Sequence, residues 1–546
     1  RSVADYSYKI GNNDQLNVEY RQNGLDLFGT FQYRLQHLKE TGETVQMTDV
    51  DTLWKQRTHS TDLGKNISYF GQFGFNYEIN KNHSFGATYE LTSAPRDKMS
   101  NDNRTEVYAD HELYDVWNTN AFSIEKTYPT HHSNFYYHGD INSLEIDLNA
   151  DVLVGKNKEE ENIKELSLNY DDLSMTTFSE TSNKLYAGKL VLAYPLFKGR
   201  ISGGSEYSYI HRISDFSGFG NQILGTSDKI RERNLAFFLN CTWSLGGIDA
   251  SAGLRYEDVK SDFYENSIYQ SDESKHYRNL FPSLSLKGSV GKVHWGLGYH
   301  IQVARPYYEQ LKNEIHYGNR FTYLGGTPNL QPTYIHTAEM RAAYRDLQLS
   351  VGYNRYNDDI LFSIEQATSD PKITLIKFRN VEHRDEMTAS LVYSPGIGCW
   401  RPEWVASVQS QWFNIGYLDG TKNMNGITVG IRWNNSFQLP MGYIFRLNGT
   451  YTGKGVYQNS FTRPVSCFGV SIYKSFFNGR LDCTVEGNDL FHTVRDATTQ
   501  YDNKVKIYRE TQRNTQEVKL TVHYKFNLQK SKYKGTGAGL DEQQRL

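Results

Sequence analysis

A chain of 546 residues with 59 Lys+Arg against 62 Asp+Glu carries a formal charge of −3, which excludes a dedicated nucleic-acid binder, because such proteins need a basic excess. Aromatic residues reach 14% while all hydrophobic residues together reach only 38%, too few aliphatic side chains for a thick soluble core of this length. With Pro at only 12 and so many rings, the chain is not of the disordered class, and its aromatics must serve something other than an aliphatic core.

No apolar run approaches the roughly 18 residues that a membrane helix requires. Membrane β-barrels stay open, since their hydropathy signal is weak in every strand. The chain begins at Arg1 with neither a charged n-region nor an apolar h-region, so a signal peptide is expected to be absent or already removed.

From the N-terminus, Val3 to Ile10 is the one stretch available for a first ascending strand, and the strand ending at Tyr20 descends into a turn at Asn23-Gly24. Ile67, Tyr69, Gly71, Phe73, Phe75, Tyr77 and Ile79 then share one strand face, with Ser68, Gln72, Asn76 and Glu78 on the other. The same period of two recurs in Leu235 to Trp243, Val293 to Ile301, Leu347 to Tyr353 and Val518 to Phe526. No long segment shows the i, i+3, i+4, i+7 pattern of an amphipathic helix. Short turn signals continue at Asn80 to Asn82, Gly139 to Asn142, Lys198-Gly199, Gly246-Gly247, Gly291-Lys292, Arg345-Asp346, Pro395 to Gly398, Pro440 to Gly442 and Asn478-Gly479. Between them lie polar, irregular stretches: Ala94 to Arg104, Gly155 to Asn162, Ser214 to Asp228 and Asp262 to Lys275, each expected to be a long loop.

Short turns alternating with long loops predict a single all-β domain, a transmembrane antiparallel up-and-down β-barrel of about 22 strands with periplasmic turns and extracellular loops. Barrels of that size hold a plugged lumen. The barrel is expected over residues 1–529, with a first strand cut short, and residues 530–546 as a polar C-terminal periplasmic tail. A soluble propeller or solenoid is the competing architecture; strands of roughly 10 residues or more and the lack of a fixed repeat weigh against it.

Chemical motifs are sparse. Four cysteines make no disulfide scaffold, and Cys467 and Cys483 fall on opposite strand faces, out of bridging reach. His131, His132 and His138 cluster, but neighbours on a strand point apart, so no metal centre is expected. Asp419 to Gly426 lacks the carboxylate spacing of a calcium loop, and Glu159 to Glu161 reads as a solvated loop tip. No nucleophile elbow is present. No catalytic residue and no cofactor is expected, and the chain reads as a non-enzyme.

Ala304-Arg305-Pro306-Tyr307-Tyr308-Glu309-Gln310-Leu311, followed by Gly325-Gly326-Thr327-Pro328-Asn329-Leu330-Gln331-Pro332-Thr333-Tyr334, resembles a signature of TonB-dependent outer-membrane receptor barrels. Gly326-Thr327 stands where Gly-Asn is usual, and Thr333 where an acidic residue is common. Lys474 to Leu481 and Asn488-Asp489-Leu490-Phe491 are similar to the ending of these barrels, in particular those of the outer-membrane β-barrel family common in Bacteroidetes. The resemblance implies the outer membrane of a Gram-negative bacterium, with lipid around the barrel. It further implies TonB-driven uptake of a nutrient too large for porins (siderophore, glycan or peptide), and it admits a surface lipoprotein partner. The plug and TonB-contacting box of such receptors match no stretch of this sequence. A passive plug-free channel or adhesin is the alternative.

The motif residues Arg305, Pro306, Leu311, Gly325, Gly326, Pro328, Asn329, Leu330 and Pro332 also have a structural reading. The prolines cannot donate ladder hydrogen bonds, and the glycines tolerate unusual backbone angles, so the segment should fold over or into the barrel mouth. Tyr307, Tyr308, Tyr317, Phe321 and Tyr323 lie within it, placed either to stack on a ligand or to pack the loop against itself.

Overall fold

The computed structural model describes residues 1–219, 225–526 and 532–546. Among these, 22 strands follow one another in sequence order, each antiparallel to the next. Glu517–Tyr524 then pairs with Ser2–Tyr6, Ser2 opposite Val522 and Ala4 opposite Leu520. The sheet therefore has no free edge, which is the condition for spanning a membrane with strands. The first strand is short, Ser2–Tyr6, and Ile10, expected at its end, opens the second.

All ten short turns reverse the chain where local chemistry placed them. At Gly246-Gly247 both residues have positive φ, 57° and 91°, as the tightest twisted hairpin connections demand. Apolar side chains concentrate outward close to these turns: Phe73, Tyr77 and Ile79 on the way into the turn at Lys81-Asn82, Phe85 and Tyr89 on the way out.

The wall is uneven in height. Leu53–Asn80, His83–Ala109 and Glu112–Ile141 have 28, 27 and 30 residues, whereas Tyr443–Thr452, Val465–Phe476 and Leu481–Asn488 have 10, 12 and 8. A crossing needs about 9–11 tilted residues, so the tall side projects well beyond the lipid on the side away from the short turns. There a hairpin of Asp496–Asp502 and Val505–Arg513 leans across and pairs with Leu25–Asp49, Glu40 opposite Arg513.

Two expected loops are corrected by this height. Ala94 to Arg104 lies inside the strand His83–Ala109, and Gly155 to Asn162, with Glu159 to Glu161, inside Leu144–Ser167. Above the membrane both faces of a strand are wet, so alternation fades while the ladder continues. The Ser214 to Asp228 stretch is strand up to Phe219 and again from Thr226; its centre is outside the described residues. Asp262 to Lys275 is strand at both ends, with a short hairpin and turn between them. The four cysteines are free, Cys467 opposite Thr450 and Cys483 opposite Lys474. His131 meets Tyr89 on one face while His132 sits between Glu90 and Asp151 on the other.

The expected periplasmic tail is also corrected. The boundary at residue 529/530 falls outside the described residues, but Lys532 to Leu546 lie within the barrel, where Ala538 is fully buried against Leu185, Ala187 and Ile210 of the inner wall. Polarity of the tail suits a polar lumen as well as it suits water.

Strand phase gives a direct test. Leu235, Phe237 and Leu239 are 40%, 50% and 51% exposed, while Ala236 between them is fully buried. An Arg at Phe237 is expected to cost about 2–4 kcal/mol, as for a charge placed on the lipid face near the midplane. An Arg at Asn240, on the lumen face, should cost far less. Equal losses in urea titrations of the folded barrel in vesicles would refute this register.

Candidate functional site

The inner wall is lined by carboxylates from different strands. In Thr226–Leu245 the residues Asp228, Ile230, Glu232, Asn234 and Ala236 all face inward and are buried, because they alternate with the lipid-facing Leu235 and Phe237. Glu165 and Glu257 occupy the same face of Leu144–Ser167 and Ile248–Glu265. A carboxylate taken out of water must be paired, and the loop between Val293–Ala304 and Thr333–Tyr344 supplies the partners.

That loop turns inward and crosses the lumen. Arg305 pairs with Glu257, which also accepts from Arg255 Nε at 2.6 Å. The single turn Tyr308–Leu311 delivers Tyr308, fully buried, whose hydroxyl donates to Glu232 Oε1 at 2.9 Å. Leu311 packs beside it against Ile210, Ile230 and Phe263. The backbone N–H of Asn313 donates to Asp228 Oδ2 at 2.6 Å, and Ser214 Oγ donates to Glu314 Oε1 at 2.6 Å.

Ile315–Asn319 and Thr322–Gly325 form a hairpin that reaches the far wall. Tyr317 and Arg320 both donate to Glu165 Oε1, at 3.0 and 2.6 Å. Phe321, 3% exposed, sits edge-on to Trp117 at 5.0 Å and Trp54 at 5.3 Å. Thr322 to Leu324 then run parallel to Thr374 to Ile376, so the hairpin also adds to the strand Thr374–Tyr393.

The glycine and proline positions explain the path. A Cβ at Gly326 would lie 2.3 Å from the Lys312 carbonyl oxygen, and the Thr327 N–H donates to Gln310 O at 2.6 Å in the same crossing; only glycine permits this approach. Gly325 closes the hairpin opposite Ile315. Pro306, Pro328 and Pro332 surround one small cavity with Leu330, which is 3% exposed. Asn329 accepts from Lys275 Nζ at 3.1 Å, and Gln331 exchanges two hydrogen bonds with the Asn380 side chain.

Of the five loop aromatics, Tyr308 and Phe321 are buried against the barrel wall, Tyr317 is committed to Glu165, and Tyr323 meets Tyr317 edge-on at 5.7 Å. Tyr307 is 57% exposed. Burial pushes the Tyr308 phenol well above its ordinary value, so it stays protonated and can donate to Glu232. Burial, with Glu165 beside it, does the same at Tyr317.

The tail completes the site. Arg545, 7% exposed, pairs with both oxygens of Glu232, donates from Nε to the Pro306 carbonyl at 3.0 Å, and lies 4.3 Å from the Tyr308 ring centroid. Burial alone would lower its pKa, but Glu232 reverses the sign and holds the guanidinium above its usual value. Glu232, Asp228, Glu165, Glu257 and Arg545 were absent from the sequence-derived site; the inward phase of the carboxylates, read against Leu235 and Phe237, was the available signal.

The family model described as outer membrane protein beta-barrel family matches residues 140–524. Among curated proteins the sequence finds no match. Several solved structures are similar in fold. The outer membrane transporter YddB from Escherichia coli is 9% identical, with 94% of this chain and 75% of that chain covered and a TM-score of 0.57. The FrpB iron transporter from Neisseria meningitidis is 10% identical, with 94% and 80% covered and a TM-score of 0.56. FpvA of P. aeruginosa, bound to pyoverdines, is 8% identical, with 94% and 71% covered and a TM-score of 0.54. At such identities the likeness is one of fold.

Proposed function

Because the chain belongs to the outer membrane protein beta-barrel family, its matched region spanning well over half its length, we propose that it is the barrel of an outer-membrane receptor for active uptake. The cargo is a nutrient too large for porins, of the siderophore, glycan or peptide class, and the energy comes from the TonB complex. A surface lipoprotein is a fitting partner at the tall extracellular wall. The reading is non-enzymatic.

One observation carries it: a barrel of 22 strands whose lumen is crossed by the 305–332 loop. Barrels of 16–18 strands already leave an aqueous channel, so one this wide with a loop laid across its interior is built to stay obstructed until something moves. A passive pore has no use for Tyr308, Phe321 and Leu330 buried across its own path.

Two measurements test the proposal. Purified chain in planar bilayers should show almost no resting conductance. Cells bearing it should accumulate labelled ligand from siderophore, oligosaccharide or peptide pools, and lose that accumulation when the proton gradient is collapsed. A steady open channel, or accumulation indifferent to the gradient, would favour the passive alternative.

A further inference from the structure

The segment Lys532 to Leu546 is held as a bound peptide is held. Its backbone N–H groups donate in succession to inner-wall side chains: Lys532 to Asp26 at 2.8 Å, Thr536 to Asn149 at 3.0 Å, Ala538 to Asp151 at 2.7 Å and Gly539 to Glu206 at 2.9 Å. Side chains that accept from main-chain donors recognise a peptide whatever its sequence. Selectivity enters at two places. A Cβ at Gly535 would meet Asn134 Oδ1 at 2.6 Å, and one at Gly539, where φ is 62°, would meet the Ala187 Cβ at 2.8 Å, so the middle of the track takes only small residues.

At its upper end the track closes on a planar cation. Glu232 offers both carboxylate oxygens, Pro306 its carbonyl and Tyr308 its ring face to the Arg545 guanidinium. All three features suit guanidinium over ammonium: a paired acceptor, an in-plane carbonyl and a stacking surface. Glu232 is 4% exposed and Tyr308 fully buried, so the pocket is walled off rather than a surface ion pair.

We propose that the lumen contains a binding track for small-residue peptides bearing an arginine, and that residues 532–546 are its tethered occupant. This rests on the receptor reading and narrows its cargo to the peptide class. A tethered segment competes at an effective concentration of about millimolar, so cargo must either bind more tightly or arrive when the tail has been drawn out.

The test uses the full chain in detergent and a fluorescein-labelled synthetic peptide with the sequence of residues 532–546. Arg545→Glu sets a carboxylate against Glu232 and should expel the tail, so the labelled peptide should bind this variant at least tenfold more tightly than the wild type. The same peptide with glutamate in place of its arginine should not bind. The double variant Glu232→Arg/Arg545→Glu should recapture the tail and reject the arginine peptide. Equal binding of both peptides, or equal binding to wild type and Arg545→Glu, overturns the proposal. Should Arg545→Glu fail to fold, judged by heat-modifiable migration, Ala538→Cys in a background without the four native cysteines gives an independent reading. Its thiol should resist maleimide in the folded barrel, and labelling as fast as in the denatured chain overturns the proposal. None of these readouts involves uptake, so the peptide track and the receptor reading can fail separately.

Discussion

Glu232→Ala is expected to weaken the docking of the tail onto the 305–311 turn by about 3–5 kcal/mol, the range found when one partner of a buried ion pair is removed. Three contacts lose their acceptor together. Arg545 is left buried with its charge facing an alanine, and the Tyr308 hydroxyl loses the oxygen at 2.9 Å. Glu542, which accepts from Asn234 Nδ2 at 3.0 Å and also acts on the Arg545 guanidinium, compensates only in part, being engaged already. Glu232→Gln keeps the shape and one acceptor but loses the charge, and should cost about 1.5–3 kcal/mol, the worth of a hydrogen bond to a charged group. Hydrogen exchange separates these effects from unfolding of the barrel. Amides of residues 536–539 should lose about two to three and a half decades of protection in Glu232→Ala, at 1.4 kcal/mol per decade, while amides of strand Gly199–Phe219 keep theirs. Unchanged protection in the tail would mean that the pair does not hold it.

The barrel was legible because its determinants are local. A turn such as Gly246-Gly247 or Asn23-Gly24 is written in two residues, and the alternation of Leu235, Phe237 and Leu239 needs only its own strand. Where the environment changes along one strand, local reading failed. At Ala94 to Arg104 and Gly155 to Asn162 the chain leaves the lipid but stays in the sheet, and a strand wet on both faces has the composition of a loop. The motif loop was legible in part: Pro306, Pro328 and Pro332 barred it from the ladder, and Gly325-Gly326 announced a close backbone crossing, but which wall it would reach was not written there. The least legible feature was the tail. Arg545 lies 313 residues from Glu232, and a polar segment ending in Asp541-Glu542-Gln543-Gln544-Arg545 reads as solvated until the inward phase of Glu232 and the ring of Tyr308 are known together.

Replacing Pro306 to Gln331 by a short Gly/Ser linker is expected to open the barrel to ions, with the larger effect on function. The loop obstructs the lumen by joining walls that the meander keeps apart: Arg305 at Glu257, Asn313 at Asp228, Tyr317 and Arg320 at Glu165, and Thr322 at Thr374. It is also half of the tail's anchorage, through the Pro306 carbonyl and the Tyr308 ring. Its removal therefore takes away one obstruction and loosens the second. The barrel should survive, because closure of the sheet depends on Val293–Ala304 pairing directly with Thr333–Tyr344, Ala304 opposite Thr333, and a loop between hydrogen-bonded neighbours can be shortened at small entropic cost. Asp228 and Glu165 would then lose their loop donors, and Glu232 its Tyr308 hydroxyl, so that water solvates them instead, and their negative charge should make the new pore favour cations. Single-channel recordings should show several-fold higher conductance than the intact chain, with cation selectivity that declines as salt screens the wall. A further rise on adding Arg545→Glu would show the tail acting as a second barrier in the same passage. Conductance equal to that of the intact chain would place the loop outside the permeation path and leave the lumen closed by the tail alone.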